Sequence, residues 1–236
     1  MDMISDSSNE ALIELAKHLG SATEIESAAT PSFWNEDQPR VFISHLASIK
    51  AKAKGLKSTL SEYSIASFVA HEDIEPTKEW QTEIEIGLST MDALVAMLTP
   101  GFKESNWTDQ EVGFAIGKGV PIVPVRIGLD PYGFIGKYQA LQGKDREIKI
   151  VAAEITEILL GKPGIGQKIT LGIVEKFVDS SSWENAKINM ELLEKCQHLN
   201  AEHIKKLRKA VKENSQVRDA WGVPERIEAL VEKLGS

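Results

Sequence analysis

A tryptophan and a glutamate lie four residues apart in the segment SNWTDQEVGFAIG, which has the pattern of a helix start. Asn106 fits the N-cap position, with Asp109 three residues later as in a capping box. Trp107 and Glu111 then share one face at the rim of the core, where an aromatic ring and a carboxylate form a pocket for a flat ring and a developing positive charge. Spacing alone leaves a purely structural explanation open, because the helix dipole favours glutamate in the first turns.

Short apolar runs alternate with helical patterns on either side of this segment. The runs predict strands at Val41–Ser44, Ser67–Ala70, Ala93–Leu98 and Val120–Ile127. Apolar residues recur at helical spacing between them, on three faces: Ile49, Ala53, Leu56, Leu60 and Tyr63; Trp80, Ile84 and Leu88; Val112, Ala115 and Ile116. This alternation predicts an α/β fold with a doubly wound parallel sheet, whose ligands bind beyond the carboxyl ends of the strands.

Three regions are predicted along the chain. Residues 1–39 form a leader with one amphipathic helix over Asn9–Leu19 and a polar linker. Residues 40–162 form the α/β domain, closed by a weaker strand near Ile148–Val151 and a helix to Leu160. The segment GKPGIG marks the boundary, and residues 163–236 form a small helical module. Its helices are predicted over Ile169–Val178, Trp183–Leu199, Ala201–Lys212 and Glu225–Leu234.

Composition excludes several classes of protein. The net charge of -8 argues against binding to nucleic acid. No apolar run is long enough to span a bilayer, and the acidic start does not resemble a signal peptide. The single cysteine, Cys196, fits a reducing compartment. We therefore expect a soluble cytoplasmic protein without membrane or nucleic-acid partners.

Other motifs do not complete a site. GKPGIG resembles the start of a phosphate-binding loop, but Gln167 takes the place of the required lysine. His198 and His203 are five residues apart, so they do not share a helix face, and no metal site is predicted. The basic run between Lys205 and Lys212 is most simply a solvated helix face.

Several segments together resemble a bacterial TIR (Toll/interleukin-1 receptor) domain of the NAD-consuming, anti-phage defence type, similar to Thoeris proteins. They are VFISH at 41–45, HEDIEPTKEW at 71–80, ALVAMLTPGFKESNW at 93–107 and PIVPVRIG at 121–128. The resemblance implies a flavodoxin-like sheet of five parallel strands. It also implies that Glu111 is catalytic. The residues that it implies for substrate binding are Trp107, Phe42, Ser44, His45, His71 and Trp80.

The implied reaction cleaves the nicotinamide–ribose bond of NAD+, which is the substrate, so no cofactor is expected. The products would be nicotinamide and either ADP-ribose or a cyclic isomer. The resemblance further implies self-association through TIR–TIR contacts and a separate effector protein that responds to the product. Two departures from the family leave the pyrophosphate contacts unassigned: Leu46-Ala47-Ser48 lacks a basic residue, and Ala70 replaces an acidic one. Lys50, Lys52 and Lys54 lie near enough to be considered.

Two other functions fit the same fold. A non-enzymatic TIR module would act as an adaptor or scaffold, and fold alone does not distinguish it from an enzyme. A nucleoside deoxyribosyltransferase-like enzyme would place a glutamate on a similar sheet and cleave nucleosides instead of NAD+.

Overall fold

The computed structural model describes residues 33–35, 37–69 and 80–235. The leader helix predicted over Asn9–Leu19 and the loop that contains His71 lie outside the described residues.

Within the described residues, five parallel strands form one sheet in the order β2-β1-β3-β4-β5. The strands are β1 (Arg40–Ser44), β2 (Ala66–Phe68), β3 (Ala93–Leu98), β4 (Ile122–Arg126) and β5 (Leu141–Gln142). The central strand β3 is buried along its whole length because helices cover both faces of the sheet. The doubly wound parallel α/β fold predicted from the sequence is thus confirmed.

Within the described residues, four helices cover the sheet, two on each face. They are α1 (Lys50–Glu62), α2 (Trp80–Thr90), α3 (Asn106–Lys118) and α4 (Ile148–Leu160). Leu56 of α1 and Ile155 of α4 share one apolar core with Val41 and Ile43 of β1. On the opposite face, α2 and α3 pack in a second core around Phe42. Alternate side chains of β1 therefore point to different helix pairs.

The fifth strand differs from the prediction. The sequence predicts a weak strand near Ile148–Val151, but these residues form the first turn of α4. The helix buries residues at helical spacing: Val151, Ala152, Ile155 and Leu159. Over only a few residues, however, an apolar segment of a helix resembles the apolar run of a short buried strand. The fifth strand is instead the two-residue β5, too short to produce a periodic signal.

Five further helices follow α4 in the part of the chain that the structure describes. They are α5 (Pro163–Val178), α6 (Trp183–Leu193), α7 (Ala201–Glu213), the short α8 (Ser215–Arg218) and α9 (Val223–Gly235). Their apolar side chains belong to the same core as those of α1 and α4. The domain boundary between residues 162 and 163 stays a prediction. The break predicted at GKPGIG is where α5 begins, with Pro163 in its first turn. No helix within the described ranges is both long and apolar enough to cross a membrane.

A close approach between α5 and the end of α1 gives a stability prediction. A Cβ at Gly172 would lie 2.5 Å from Cβ and 2.8 Å from Oγ of Ser64, whose backbone has a φ of 59°. We expect Gly172→Ala to lower the free energy of unfolding by about 1–3 kcal/mol through overpacking. Gly164→Ala on the same helix is the control, because a Cβ there meets nothing within 4 Å. Urea unfolding of both variants tests this, and equal stabilities would contradict the proposed close packing.

Candidate active site at the carboxyl edge of the sheet

Helix α3 follows strand β3 after a short connection and carries the Trp107–Glu111 pair. Its N-cap is Ser105, whose side chain accepts a hydrogen bond from the backbone N–H of Thr108. The predicted N-cap, Asn106, is therefore wrong by one residue, since Asn106 already has helical backbone. Thr108 further anchors this turn by donating from Oγ1 to the carbonyl of Phe102 at 2.5 Å. The first turn of α3 is thus fixed against the loop at the end of β3.

Glu111 lies in the second turn of α3 and is only 6% exposed. Its Oε2 accepts a hydrogen bond from Oγ of Ser44, the last residue of β1, at 2.5 Å. The sequence predicts Glu111 at the rim of the core, and the structure corrects this: the side chain points inward, toward the end of β1. Ser44 and Glu111, 67 positions apart, meet because β1 and β3 are neighbours in the sheet.

Burial changes the acidity of Glu111. Removal of the carboxylate from water disfavours its charged form and raises its pKa from 4.5 to about 7, although the hydrogen bond from Ser44 acts in the opposite direction. A carboxyl group with a pKa near neutrality can stabilise a cation or exchange a proton at physiological pH. Such strongly shifted groups are concentrated at functional sites.

Trp107 lies one turn before Glu111 and is 39% exposed, so part of its indole faces solvent. His45 directly follows Ser44, and its Nδ1 lies 3.3 Å from the carbonyl oxygen of Ile43. The structure thus brings Ser44 and Glu111 into contact, with His45 next to the first and Trp107 one turn from the second. All four are at the carboxyl ends of parallel strands or just beyond them.

Of the other predicted site residues, Phe42 lies within the described residues. Phe42 is fully buried, and its ring packs against that of Phe68 at a centroid distance of 5.2 Å. Phe42 therefore forms part of the core on the Ser44 side of β1. Trp80 is the first residue of α2, but its side chain, like all of His71, lies outside the described residues. The roles of these residues stay predictions.

Two contacts near the site were missed by sequence reasoning. Tyr132 donates from its hydroxyl to Oδ1 of Asp109 at 3.1 Å and so links the loop after β4 to the first turn of α3. Lys52 donates to the carbonyl of Gly143 at 2.6 Å, which ties α1 to the end of β5. Lys52 is one of the three lysines considered for the pyrophosphate contacts, and its position in the sequence did not indicate this structural hydrogen bond. No local pattern signals either contact, because both join distant segments.

The Ser44–Glu111 hydrogen bond can be tested without any assumption about function. Ser44→Ala removes the donor that favours the ionised carboxylate, so we expect the pKa of Glu111 to rise by about one. Titration of the carboxyl carbon by NMR measures this. Ser67→Ala is the matched control, because Ser67 is an equally buried serine on the adjacent strand β2. An unchanged Glu111 titration in Ser44→Ala would show that the hydrogen bond does not act on the carboxylate.

The part of the chain that forms the sheet and the candidate site matches one family model. Residues 41–153 match the family model of the TIR domain. The chain contains a TIR domain. A similar solved structure is the TIR domain of the Toll-related receptor TRR-2 from the lower metazoan Hydra magnipapillata, with 18% identity and a TM-score of 0.42, over 50% of this chain and 94% of that one. A search of curated proteins gave no match.

The candidate site belongs entirely to the TIR domain. Ser44, Trp107 and Glu111 all lie within the matched residues, whereas α5 to α9 lie beyond them. TIR domains include NAD-cleaving enzymes as well as scaffolds, so membership alone does not assign an activity.

Proposed function

We propose that this TIR domain cleaves the N-glycosidic bond between nicotinamide and ribose in NAD+, with Glu111 as the catalytic carboxylate. The observation that carries the proposal is the buried Glu111 at the carboxyl edge of the sheet, held by Ser44 and with its pKa raised to about 7. A binding module has no evident need for a carboxylate in this environment, since its burial is costly.

The proposed reaction requires one carboxylate and no general acid. Nicotinamide in NAD+ is a cationic substituent, so the bond to the ribose breaks with its electron pair on nicotinamide, which leaves as a neutral molecule. The ribose carbon becomes an oxocarbenium ion, as in glycoside hydrolysis. The ionised Glu111 stabilises that cation in a site of low polarity, where a fixed charge is most effective.

The acceptor determines the product. Water adds to the ribose carbon and loses a proton, which gives ADP-ribose, whereas attack by a group on the adenosine half gives a cyclic isomer. We propose that Trp107 borders the nicotinamide side and that Ser44, His45, His71 and Trp80 line the substrate pocket above Phe42. The further proposals of TIR–TIR self-association, a separate product-sensing effector and a role in bacterial anti-phage signalling rest on the resemblance of the motifs alone.

A scaffold function is the second candidate, and one observation favours it. Phe134, in the single helical turn Gly133–Lys137 of the TIR domain, is 80% exposed. Exposed aromatic side chains are frequent in protein–protein contacts. An assembly role and catalysis can coexist, so the two candidates are separated by turnover rather than by oligomeric state.

The test incubates the purified chain with NAD+ and, separately, with deoxynucleosides, over a wide range of protein concentration. We expect nicotinamide and an ADP-ribose isomer from NAD+, with specific activity rising as the protein associates. Free base from deoxynucleosides would instead indicate a deoxyribosyltransferase-like enzyme. Lack of turnover of either substrate at all concentrations would favour the scaffold.

A further inference from the structure

Three surface clefts follow one another from the start of the described chain to helix α7. The first, of about 890 Å³, is lined by Trp34 and Asn35, by Glu175 of α5 and by Asp179, which follows α5. The second also borders Glu175 and Asp179 and reaches Lys209 of α7. Lys209 in turn borders the third. Each cleft therefore shares lining residues with the next one along the helical module.

The third cleft, here called the basic cleft, combines an apolar floor with a positive rim. It measures about 880 Å³, and Leu199, Ile204 and Val231 supply its apolar side chains. Its positively charged side chains are Lys205, Arg208, Lys209 and Lys212. Arg208 pairs with Glu228 and Lys209 with Glu213. Lys205 makes no ion pair with any residue in the described ranges, and Lys212 interacts electrostatically with Glu228 without a direct ion pair. The cleft thus fits an amphipathic segment with negative charge.

The leader of the same chain has this chemistry. Residues 1–39 contain eight carboxylates and one lysine, so they carry a net charge of -7 out of the total of -8. Helical spacing over 9–19 would place Leu12, Leu15, Ala16 and Leu19 on one side and the carboxylates of Glu10 and Glu14 on the other.

Length and connectivity also match. Eleven helical residues from Asn9 to Leu19 would span about 16 Å, and the twelve residues from Ala201 to Lys212, the first and last of α7 that line the basic cleft, span about 18 Å. The chain enters at the first cleft, where Trp34 is buried and donates to Oγ1 of Thr90 at 2.8 Å. The 13 residues between Leu19 and Phe33 reach at most about 45 Å, similar to the diameter of a domain of this size.

We propose that residues 9–19 dock as an amphipathic helix in the basic cleft of the same chain. The apolar side of the helix covers Leu199, Ile204 and Val231, and the rim lysines attract the acidic leader. The basic run on α7, which the sequence alone indicates as a solvated face, thereby acquires an intramolecular partner. The proposal is independent of NAD+ cleavage, because the cleft lies outside the matched TIR residues.

Hydrogen exchange of the full chain, followed by mass spectrometry, tests the docking. We expect the amides of 9–19 to exchange about tenfold more slowly than in an unstructured peptide, and Lys205→Glu/Lys212→Glu to remove most of this protection. Lys144→Glu/Lys149→Glu is the matched control, because it makes the same charge change at exposed lysines of the TIR domain. Leu12→Ser/Leu19→Ser should remove the protection without any change to the described fold.

Carbodiimide cross-linking, which joins carboxylates directly to lysines, identifies the partner. In a mixture of labelled and unlabelled chains, we expect links from leader carboxylates to lysines of α7 within single chains. Links only between chains would overturn the same-chain docking in favour of a second copy. Intrinsic exchange rates at 9–19 in the parent, or protection that survives the Lys205/Lys212 reversal, would overturn the proposal altogether.

Discussion

Glu111→Gln should reduce nicotinamide release from NAD+ by about a thousandfold or more, because the amide cannot stabilise the oxocarbenium ion with a negative charge. The side chain keeps its shape, and Ser44 can donate to the amide oxygen as it does to the carboxylate. Steady-state assays at matched protein concentrations give the comparison. A folded variant with the turnover of the parent would remove Glu111 from the mechanism.

The same substitution should stabilise the fold at neutral and higher pH. Glu111 has a pKa of about 7 in the folded protein and an ordinary value of 4.5, so between these values the folded state binds the proton more tightly. The stability of the parent therefore falls as pH rises through this window, by about 3 kcal/mol at most, and levels off above it. Glu111→Gln lacks this loss.

Unfolding of the parent and Glu111→Gln across pH tests the sign. We expect the variant to be more stable by up to about 3 kcal/mol near pH 8 and the difference to vanish in acid. A variant whose stability relative to the parent falls as the pH rises from acid to pH 8 would mean that the charged carboxylate stabilises the fold, contrary to its buried position.

Trp107→Ala should lower kcat for NAD+ cleavage by about a hundredfold, with a much smaller change in KM. The half-exposed indole lies one turn before Glu111, where it would orient nicotinamide and restrict water around the cation. The loss of this shielding should also shift the products toward ADP-ribose. Because much of the ring is exposed, the fold should remain stable.

Phe114→Ala provides the control for Trp107→Ala. Phe114 is similarly exposed, at 44%, and lies on α3 about two turns further from the sheet edge. Its removal should leave kcat nearly unchanged. A proportional rise in KM without a change in kcat, or equal effects of the two substitutions, would place Trp107 outside the region of bond cleavage.

The order of strands and helices could be predicted from the sequence. Both the short apolar runs of the strands and the helical spacing of apolar residues are local patterns. Helices α1 to α3 have the predicted buried faces, including Leu56, Ile84 and Ala115. The fifth strand was misplaced because the two residues of β5 have no periodic pattern of their own. The short α8, Ser215–Arg218, was missed for the same reason.

The site was partly predictable. The spacing of Trp107 and Glu111 indicates one helix face, and the resemblance selected Ser44, but neither shows that Ser44 donates directly to Glu111. The burial of Glu111 was also hidden, because the rotation of α3 relative to β1 is set by packing on the whole sheet. Environment, rather than residue type, gives this glutamate its raised pKa.

The most direct test of the central claim compares the pH dependence of kcat/KM for nicotinamide release with the NMR titration of Glu111. Since kcat/KM reports groups of the free enzyme, it should rise with pH and level off above about 7, at the titrated pKa of Glu111. In Ser44→Ala both values should move upward together. A kcat/KM that is constant across this range, or an inflection that does not follow the Glu111 titration, would contradict the account.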